Sequence, residues 1–304
     1  MRARRRIPPL DWTAALLVRA LLGILARVPE GPAYALARGA GRLFWLLAPS
    51  RRRRALENLR LALGEGAPPE TARRSFGSLM MVALDFVRLP RILARGELEE
   101  RVDFSGVAPL LEEAGPGGVI FVTGHLGSWE VGGVALARAR GGLHVIARRV
   151  ENPYLDRLVF QGRARAGLVV HPRRGGMRPL ARALKEGRDV GVLLDQNQRK
   201  RGVFVPVFGK AASTDRSAAA LAFRLDRPVV VGFALREGKG FRFRMVPGGL
   251  LRPTREERAR RDVAGFTGRI VAAMEKVIRS FPDQYLWLHN RYRTRPPGEG
   301  SAGE

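Results

Sequence analysis

What this 304-residue chain lacks narrows it first. It has no cysteine, which removes disulfides, thiolate zinc sites and cysteine nucleophiles together. Histidine occurs only at His125, His144, His171 and His289, with no HExxH pair, so no metal site is expected. There is no GxSxG elbow and no GxxxxGK-S/T loop, which excludes serine hydrolases of that type and P-loop nucleotide binding. Aromatic residues make up 7% of the chain, and no base-stacking motif is visible, so no nucleic-acid partner is expected.

Acids are also scarce. Asp and Glu number 28 against 54 Lys and Arg, a formal charge of +26, and only Lys185, Lys200, Lys210, Lys239 and Lys276 of the basic residues are not Arg. Arg in such excess over Lys, beside much Ala, Gly, Leu and Val, reflects a GC-rich genome as readily as a charged partner. The total is compatible with any polyanion, membrane or nucleic acid. A non-enzymatic polyanion- or membrane-binding protein is therefore one reading, and where the charge sits decides more than its sum.

Charge is concentrated in residues 1–60, with thirteen Arg against Asp11, Glu30 and Glu57. A basic arm, Arg2 to Arg6, precedes Trp12–Val28, which is apolar except for Arg19 and Arg27. Ala33–Ala48 carries Arg38 and Arg42 four residues apart, and Arg51–Arg54 follows. Neither apolar stretch reaches the roughly 20 uncharged residues of a clean spanning helix. The pattern predicts basic amphipathic helices over residues 1–50 lying at an anionic membrane surface, peripheral or at most single-pass. Ordinary amphipathic helices packed on a soluble core would read the same way.

Helices are expected over Arg53–Leu63 and over Thr71–Leu89, the latter closed by Pro90. Beyond residue 117, apolar runs alternate with helical stretches. The runs are Val119–Thr123, Leu143–Ala147, Leu168–Val170, Val190–Leu194 and Val229–Phe233; the helices are 129–139, 153–166, 177–187 and 215–225. Continuous apolar strands separated by helices imply a sheet covered on both faces. Phe241–Val246 alternates as an edge strand would, a long helix spans about 255–280, and Gln284–His289 reads as a late strand. The fold class is α/β, a mixed and mostly parallel sheet with helices on both faces, over 51–295. An N-terminal helical membrane-associating segment precedes it, and 296–304 is a flexible tail.

In Val119-Ile-Phe-Val-Thr-Gly-His125-Leu-Gly-Ser-Trp-Glu130 a strand ends at Thr123-Gly124 and a helix starts near Ser128. His125 falls at the strand's carboxyl end, where open α/β sheets bind ligands. Histidine suits proton abstraction from a hydroxyl near neutral pH. Glu130 can turn back to hold the other imidazole N–H, the role of the acid in a triad whose nucleophile belongs to the substrate. A structural His and a helix-start Glu would use the same spacing.

This box resembles the His-x4-Asp/Glu signature of the lysophospholipid acyltransferase superfamily. More narrowly it is similar to the bacterial lipid A (lauroyl/myristoyl-type) acyltransferases and the related phosphatidylinositol mannoside acyltransferases. Further ordered blocks are similar too: Arg148-Arg149 through Asn152-Pro-Tyr-Leu to Arg163 and Arg165; Gly175–Gly187; Asp195-Gln-Asn197; Gly202–Gly209 with Ala212-Ser-Thr214; and Phe281 to Arg291. The resemblance covers roughly 50–295. The second block departs from it, with Val150 where the family has Pro after Arg.

The resemblance implies an O-acyltransferase without cofactor. It would move an acyl chain from acyl-carrier protein or acyl-CoA to a membrane glycolipid, a lipid A precursor first, or else phosphatidylinositol mannoside or a lysophospholipid. The setting would be the cytoplasmic face of the inner membrane. His125 and Glu130 would be catalytic. Arg148, Arg149, Arg163 and Arg165 would meet phosphates, and Asp195 and Asn197 substrate. Gly124, Leu126, Phe204 and Phe208 are candidates for the oxyanion site or acyl groove, with Arg149 a further oxyanion donor. Phe204, Val205 and Phe208 also read as core, Thr214 as a helix N-cap, and Asp195 and Asn197 as turn formers.

Overall fold

The computed structural model describes residues 12, 16, 23–148 and 152–298. The basic arm, most of Trp12–Val28, Arg149 and residues 299–304 lie outside the described residues. Residues 23–27 are helical, and after them among the described residues come α1 (Glu30–Leu47), α2 (Pro49–Leu63) and α3 (Pro69–Ala94). Then follow α4 (Leu98–Arg101), β1 (Val102–Asp103), α5 (Ala108–Ala114), β2 (Ile120–Thr123), α6 (Trp129–Ala139), β3 (Leu143–Ala147), α7 (Pro153–Arg165), β4 (Leu168–Pro172), α8 (Met177–Lys185) and β5 (Val190–Leu193). A hairpin of β6 (Val203–Val207) and β7 (Lys210–Thr214) precedes α9 (Ser217–Leu225), β8 (Val229–Arg236), β9 (Phe243–Leu251), α10 (Arg255–Arg260) and α11 (Val263–Ser280).

The main sheet has the order β1-β9-β8-β2-β5-β3-β4. Strands β8, β2, β5, β3 and β4 are parallel, and β9 is antiparallel to β8. Alternation of side chains along β2 splits its apolar run between two cores. Ile120 and Val122 join Val190, Val229 and Val231 on one face; Val119 and Phe121 join Val230 and Ala234 on the other. Burial on both faces is why the run carries no polar alternation. The chain leaves β2 for β3 and β4, then returns to insert β5 beside β2 before placing β8 on its other side. Such a reversal opens a crevice at the carboxyl edge.

Several boundaries differ from the sequence pattern for identifiable reasons. Helix α3 runs through Pro90 to Ala94. Leu89 and Ile92 are buried in the second core, and Arg88 and Arg91 donate to the carbonyls of Val28 and Ala26 at 2.9 and 3.0 Å. That anchoring holds the last turn despite the missing proline N–H. The expected helix 255–280 is two helices. Arg261 adopts φ 51°, and the Asp262 carboxylate restarts the chain by accepting from the Gly265 N–H. Phe243–Leu251 is not at the sheet edge, since β1 pairs with it. The late strand over Gln284–His289 is absent: Pro282–Gln284 is a 3₁₀ turn, and Tyr285 makes one isolated bridge to Leu126.

The N-terminal helices are fastened to the sheet by a buried ionic cluster. Asp85 of α3, fully buried, accepts from the Tyr34 hydroxyl of α1 at 2.5 Å and from Arg236 of β8. The guanidinium lies between the rings of Tyr34 and Phe243, at 4.8 and 4.7 Å. Burial raises the Tyr34 hydroxyl well above its ordinary value, and Asp85 beside it adds to that. Arg236→Met would leave Asp85 charged and uncompensated, a loss of about 3–5 kcal/mol; chemical denaturation of Arg236→Met and of the double variant with Asp85→Leu checks it, the double recovering most of the loss.

Candidate active site

Two aspartates pin β5 to β2, one at each end of the pair. At the start, Asp189 accepts from the Val119 N–H at 2.8 Å and from Arg140 at 2.7 Å. At the carboxyl end the register Thr123↔Leu193 continues through the Leu194 N–H donating to the Thr123 carbonyl. This sets His125 opposite Asp195. One oxygen of Asp195 accepts from the His125 backbone N–H at 2.6 Å, and the other lies 2.8 Å from His125 Nδ1. Residue 124 must be glycine for this approach, because a Cβ there would stand 2.9 Å from Asp195 Cγ.

The turn after His125 is equally constrained. Gly127 has φ +62°, and a Cβ would meet the Ala234 carbonyl at 2.1 Å. Glycine alone permits that close approach. The Ser128 N–H then bonds the same carbonyl at 2.8 Å as α6 begins. Tyr285 bridges Leu126 from the other side, with the Gly127 and Leu286 N–H groups bonding the Gln284 and His125 carbonyls. Trp129 lies against the imidazole at 4.6 Å between ring centroids.

Burial raises the Asp195 carboxyl, but the His125 charge and the hydrogen bonds from its ring and backbone outweigh it and hold Asp195 below the usual carboxylate range. When the ring is neutral, an ionised Asp195 favours the tautomer with the proton on Nδ1 and leaves Nε2 with a lone pair. That lone pair points away from Asp195, and the Gln196 side chain meets it at 3.2 Å. An imidazole held in this way can serve as a base, because Nε2 is turned outward.

Glu130 is placed differently from the sequence expectation. Its carboxylate pairs with Arg163 on the last turn of α7, one contact being Nε to Oε2 at 3.2 Å and the other from Nη2. The Arg163 guanidinium also lies 5.9 Å from the Phe86 ring. The carboxylate on the imidazole is Asp195, brought by strand order from 70 residues away, and spacing within one box could not reveal it. Asp195 is thus committed to His125 rather than to substrate. Asn197 is also committed internally. Its side chain exchanges two 3.0 Å bonds with Thr294, and its N–H donates to His289 Nε2 at 3.0 Å.

The remaining candidates scatter. Arg148 and Arg165 are exposed, at the end of β3 and of α7; Arg149 is outside the described residues. Gly124 and Leu126 flank His125 and are buried. Phe208 is core, packed 5.6 Å from Trp287, while Phe204 is half-buried in the hairpin. Val205 is core as well. Thr214 is no helix cap: its hydroxyl donates to the Ala212 carbonyl and accepts from Arg291, and Asp215 receives the Ser217 N–H.

Residues of the closing segment build the floor. Asn58 donates to the carbonyls of Trp287 and His289 at 2.7 and 3.0 Å. Arg291, 5% exposed, donates to the Ser213 carbonyl at 2.7 Å and to Thr214. Tyr285 is buried beside Asp195, and burial first, then that charge, raises its hydroxyl well above the ordinary value. Gln196, Tyr285, Asn58 and Arg291 had no role in the sequence reading; only for Gln196, Tyr285 and Arg291 did a position in similar blocks hint at one. Among the described residues, no cluster of three His, Asp or Glu is arranged to hold a metal.

The bacterial lipid A biosynthesis acyltransferase family model matches residues 3–294. The chain belongs to that family. It is 28% identical to the lipid A biosynthesis myristoyltransferase of Escherichia coli K12 over 298 residues, 96% of this chain and 90% of that one. Identity to the lipid A biosynthesis lauroyltransferase of the same bacterium is 29% over 185 residues, 60% of this chain and 58% of the other. A phosphatidylinositol mannoside acyltransferase of Mycolicibacterium smegmatis is 28% identical over 186 residues, 59% of this chain and 60% of its own. Acyl transfer is the chemistry of the family.

Burial, more than any charge, lowers His289 to about 4 from the ordinary 6.5. An unfolded His289 takes a proton below pH 6.5 that the folded one refuses, so its contribution is full above that pH and is lost as pH falls toward 4. We expect unfolding free energy to drop across that window and the difference between the parent and His289→Gln to shrink from pH 7.5 to 4.5, measured by denaturant titration at each pH.

Proposed function

We propose that this chain transfers a fatty acyl group from a thioester donor to a hydroxyl of a membrane glycolipid, with His125 as general base. The observation that carries the reading is the His125–Asp195 contact, with Nε2 turned outward at the carboxyl edge of the sheet. The acceptor hydroxyl gives its proton to Nε2 and attacks the thioester carbonyl. Collapse of the tetrahedral intermediate expels the thiolate, which recovers that proton from the imidazolium. Asp195 stabilises the imidazolium while it exists. Glu130 acts one step away by holding Arg163, which ties α6 to α7 beside the site.

A lipid A precursor is the favoured acceptor, because similarity to a lipid A enzyme extends over nearly the whole chain, whereas similarity to the mannoside enzyme covers 59% of it. Phosphatidylinositol mannoside and lysophospholipid are the alternatives. Strands β3, β4 and β5 end at the same edge, and there Arg148, Arg173, Arg174, Arg199, Lys200 and Arg201 are all exposed. A rim of that sign suits the phosphates of a lipid or of acyl-CoA, or an acidic acyl-carrier protein. It is more economical than a non-enzymatic polyanion binder, which would have no use for a tautomer-fixed histidine.

Membrane association at the inner leaflet is part of the reading. Among the described residues no helix is long and apolar enough to cross a membrane. Helix α1 buries Tyr34 and Gly41 yet leaves Leu36, Leu43 and Leu47 exposed at 63, 55 and 73%, on a second stripe with i, i+7, i+11 spacing. Exposed Arg42, Arg51 and Arg53 border it. An apolar stripe beside arginines fits a helix lying in an anionic headgroup layer.

Thiol release and lipid product, measured together, test the chemistry. His125→Ala is expected to abolish transfer while keeping a cooperative unfolding transition, and Asp195→Asn to lower kcat about 10⁴-fold; retained turnover in His125→Ala overturns the base. Glu130→Gln and Arg163→Gln should act as one unit, the double variant losing no more than the worse single. For the membrane face, Leu36→Glu with Leu43→Glu should weaken flotation with phosphatidylglycerol vesicles by more than about tenfold; undiminished flotation sinks that assignment.

A further inference from the structure

The loop that follows β5 is held on both sides of Gln196. Asp195 is spent on the ring and backbone of His125, and Asn197 on His289 and Thr294. Gln196 between them is exposed, and its one hydrogen bond among those described is the 3.2 Å contact from its Nε2 to His125 Nε2. In the neutral imidazole, with Asp195 holding the proton on Nδ1, His125 Nε2 accepts and the amide N–H of Gln196 is the donor. The backbone is rigid while the side chain is solvent-facing, and the bond is neutral, long and easily displaced.

Any hydroxyl that gives its proton to Nε2 must occupy the place this amide takes. Water competes for that place. Water activated there would attack the thioester carbonyl, form the new C–O bond and expel the thiolate. The thiolate would take the proton from the imidazolium, leaving free fatty acid and thiol with no lipid acylated. Trp129 covers the ring, but the Nε2 edge has only Gln196 over it among the described contacts.

We propose that Gln196 caps the catalytic nitrogen, keeping water off it until the acceptor hydroxyl displaces the amide. Gln196 is thereby a residue that sets the preference for lipid hydroxyl over water. The inference rests on His125 being the base of an acyl transfer, and its first test does not.

Diethyl pyrocarbonate modifies neutral imidazole, and peptide mass spectrometry resolves His125 from His144, His171 and His289. In Gln196→Ala, and in Gln196→Met, which keeps the length and removes the N–H, His125 should react about fivefold faster, the factor of one neutral hydrogen bond. The rates at His144 and His171 should stay unchanged. An unchanged His125 rate in either variant overturns the cap, whatever the enzyme catalyses. The second test follows thiol release from lauroyl-CoA with and without a detergent-dispersed lipid A precursor. Both variants should raise acceptor-independent release relative to lipid acylation by about fivefold, and the leak should vanish when His125→Ala is added. A parental ratio in either variant overturns the role against water. Absence of thioester turnover in the parent protein itself defeats the acyl-transfer reading instead, and leaves the modification result to decide the cap.

Discussion

The contact on which the rest depends is the Asp195 carboxylate meeting both the ring and the backbone N–H of His125. It joins the ends of two adjacent parallel strands, β2 and β5, and so exists only because β5 inserts beside β2 after the chain has already built β3 and β4. An acid on a strand end is rigidly placed, since its backbone is tied into the sheet. An acid on a helix start five residues past the histidine is not. The protein uses the rigid one on the imidazole and gives Glu130 to Arg163.

Around that contact the chain places small residues where backbones must touch and polar residues where carbonyls are left over. Gly124 makes room for Asp195 and Gly127 for the Ala234 carbonyl. Asn58, His289, Thr294 and Arg291 satisfy the turn after α11 and fasten it under the β5 loop. Buried polar groups carry a cost unless bonded, and this floor is almost fully bonded, with Arg291 Nε one of three buried side-chain atoms among the described residues that lack a partner. The N-terminal helices belong to the same body through Tyr34, Asp85 and Arg236, so a membrane-facing α1 would be coupled mechanically to the sheet.

Much of the sheet was legible because its strands are buried on both faces. Leu143–Ala147 and the helix 129–139 have the same limits in the sequence pattern and in the structure, since long apolar runs and glycine punctuation are local signals. The failures were equally physical. Pro90 is a local stop that tertiary anchoring of Leu89 and Ile92 overrides. Arg261 breaks a helix in a left-handed conformation that nothing in its residue type announces. Trp287 is core and its neighbours form turns, so an apolar run that resembled a strand is a packed corner.

By itself the sequence determined the α/β class, the position of His125 at a strand end, the family, and a basic N-terminal region with apolar segments. Those properties reside in composition, periodicity and short ordered blocks. Only the tertiary structure decided which carboxylate holds His125, because that depends on strand order, and strand order is a long-range choice with no local mark. The same is true of Asn197, which the resemblance offered to substrate and folding gave to Thr294. It is true as well of Gln196, one residue in a similar block until the sheet laid its amide against Nε2 of His125.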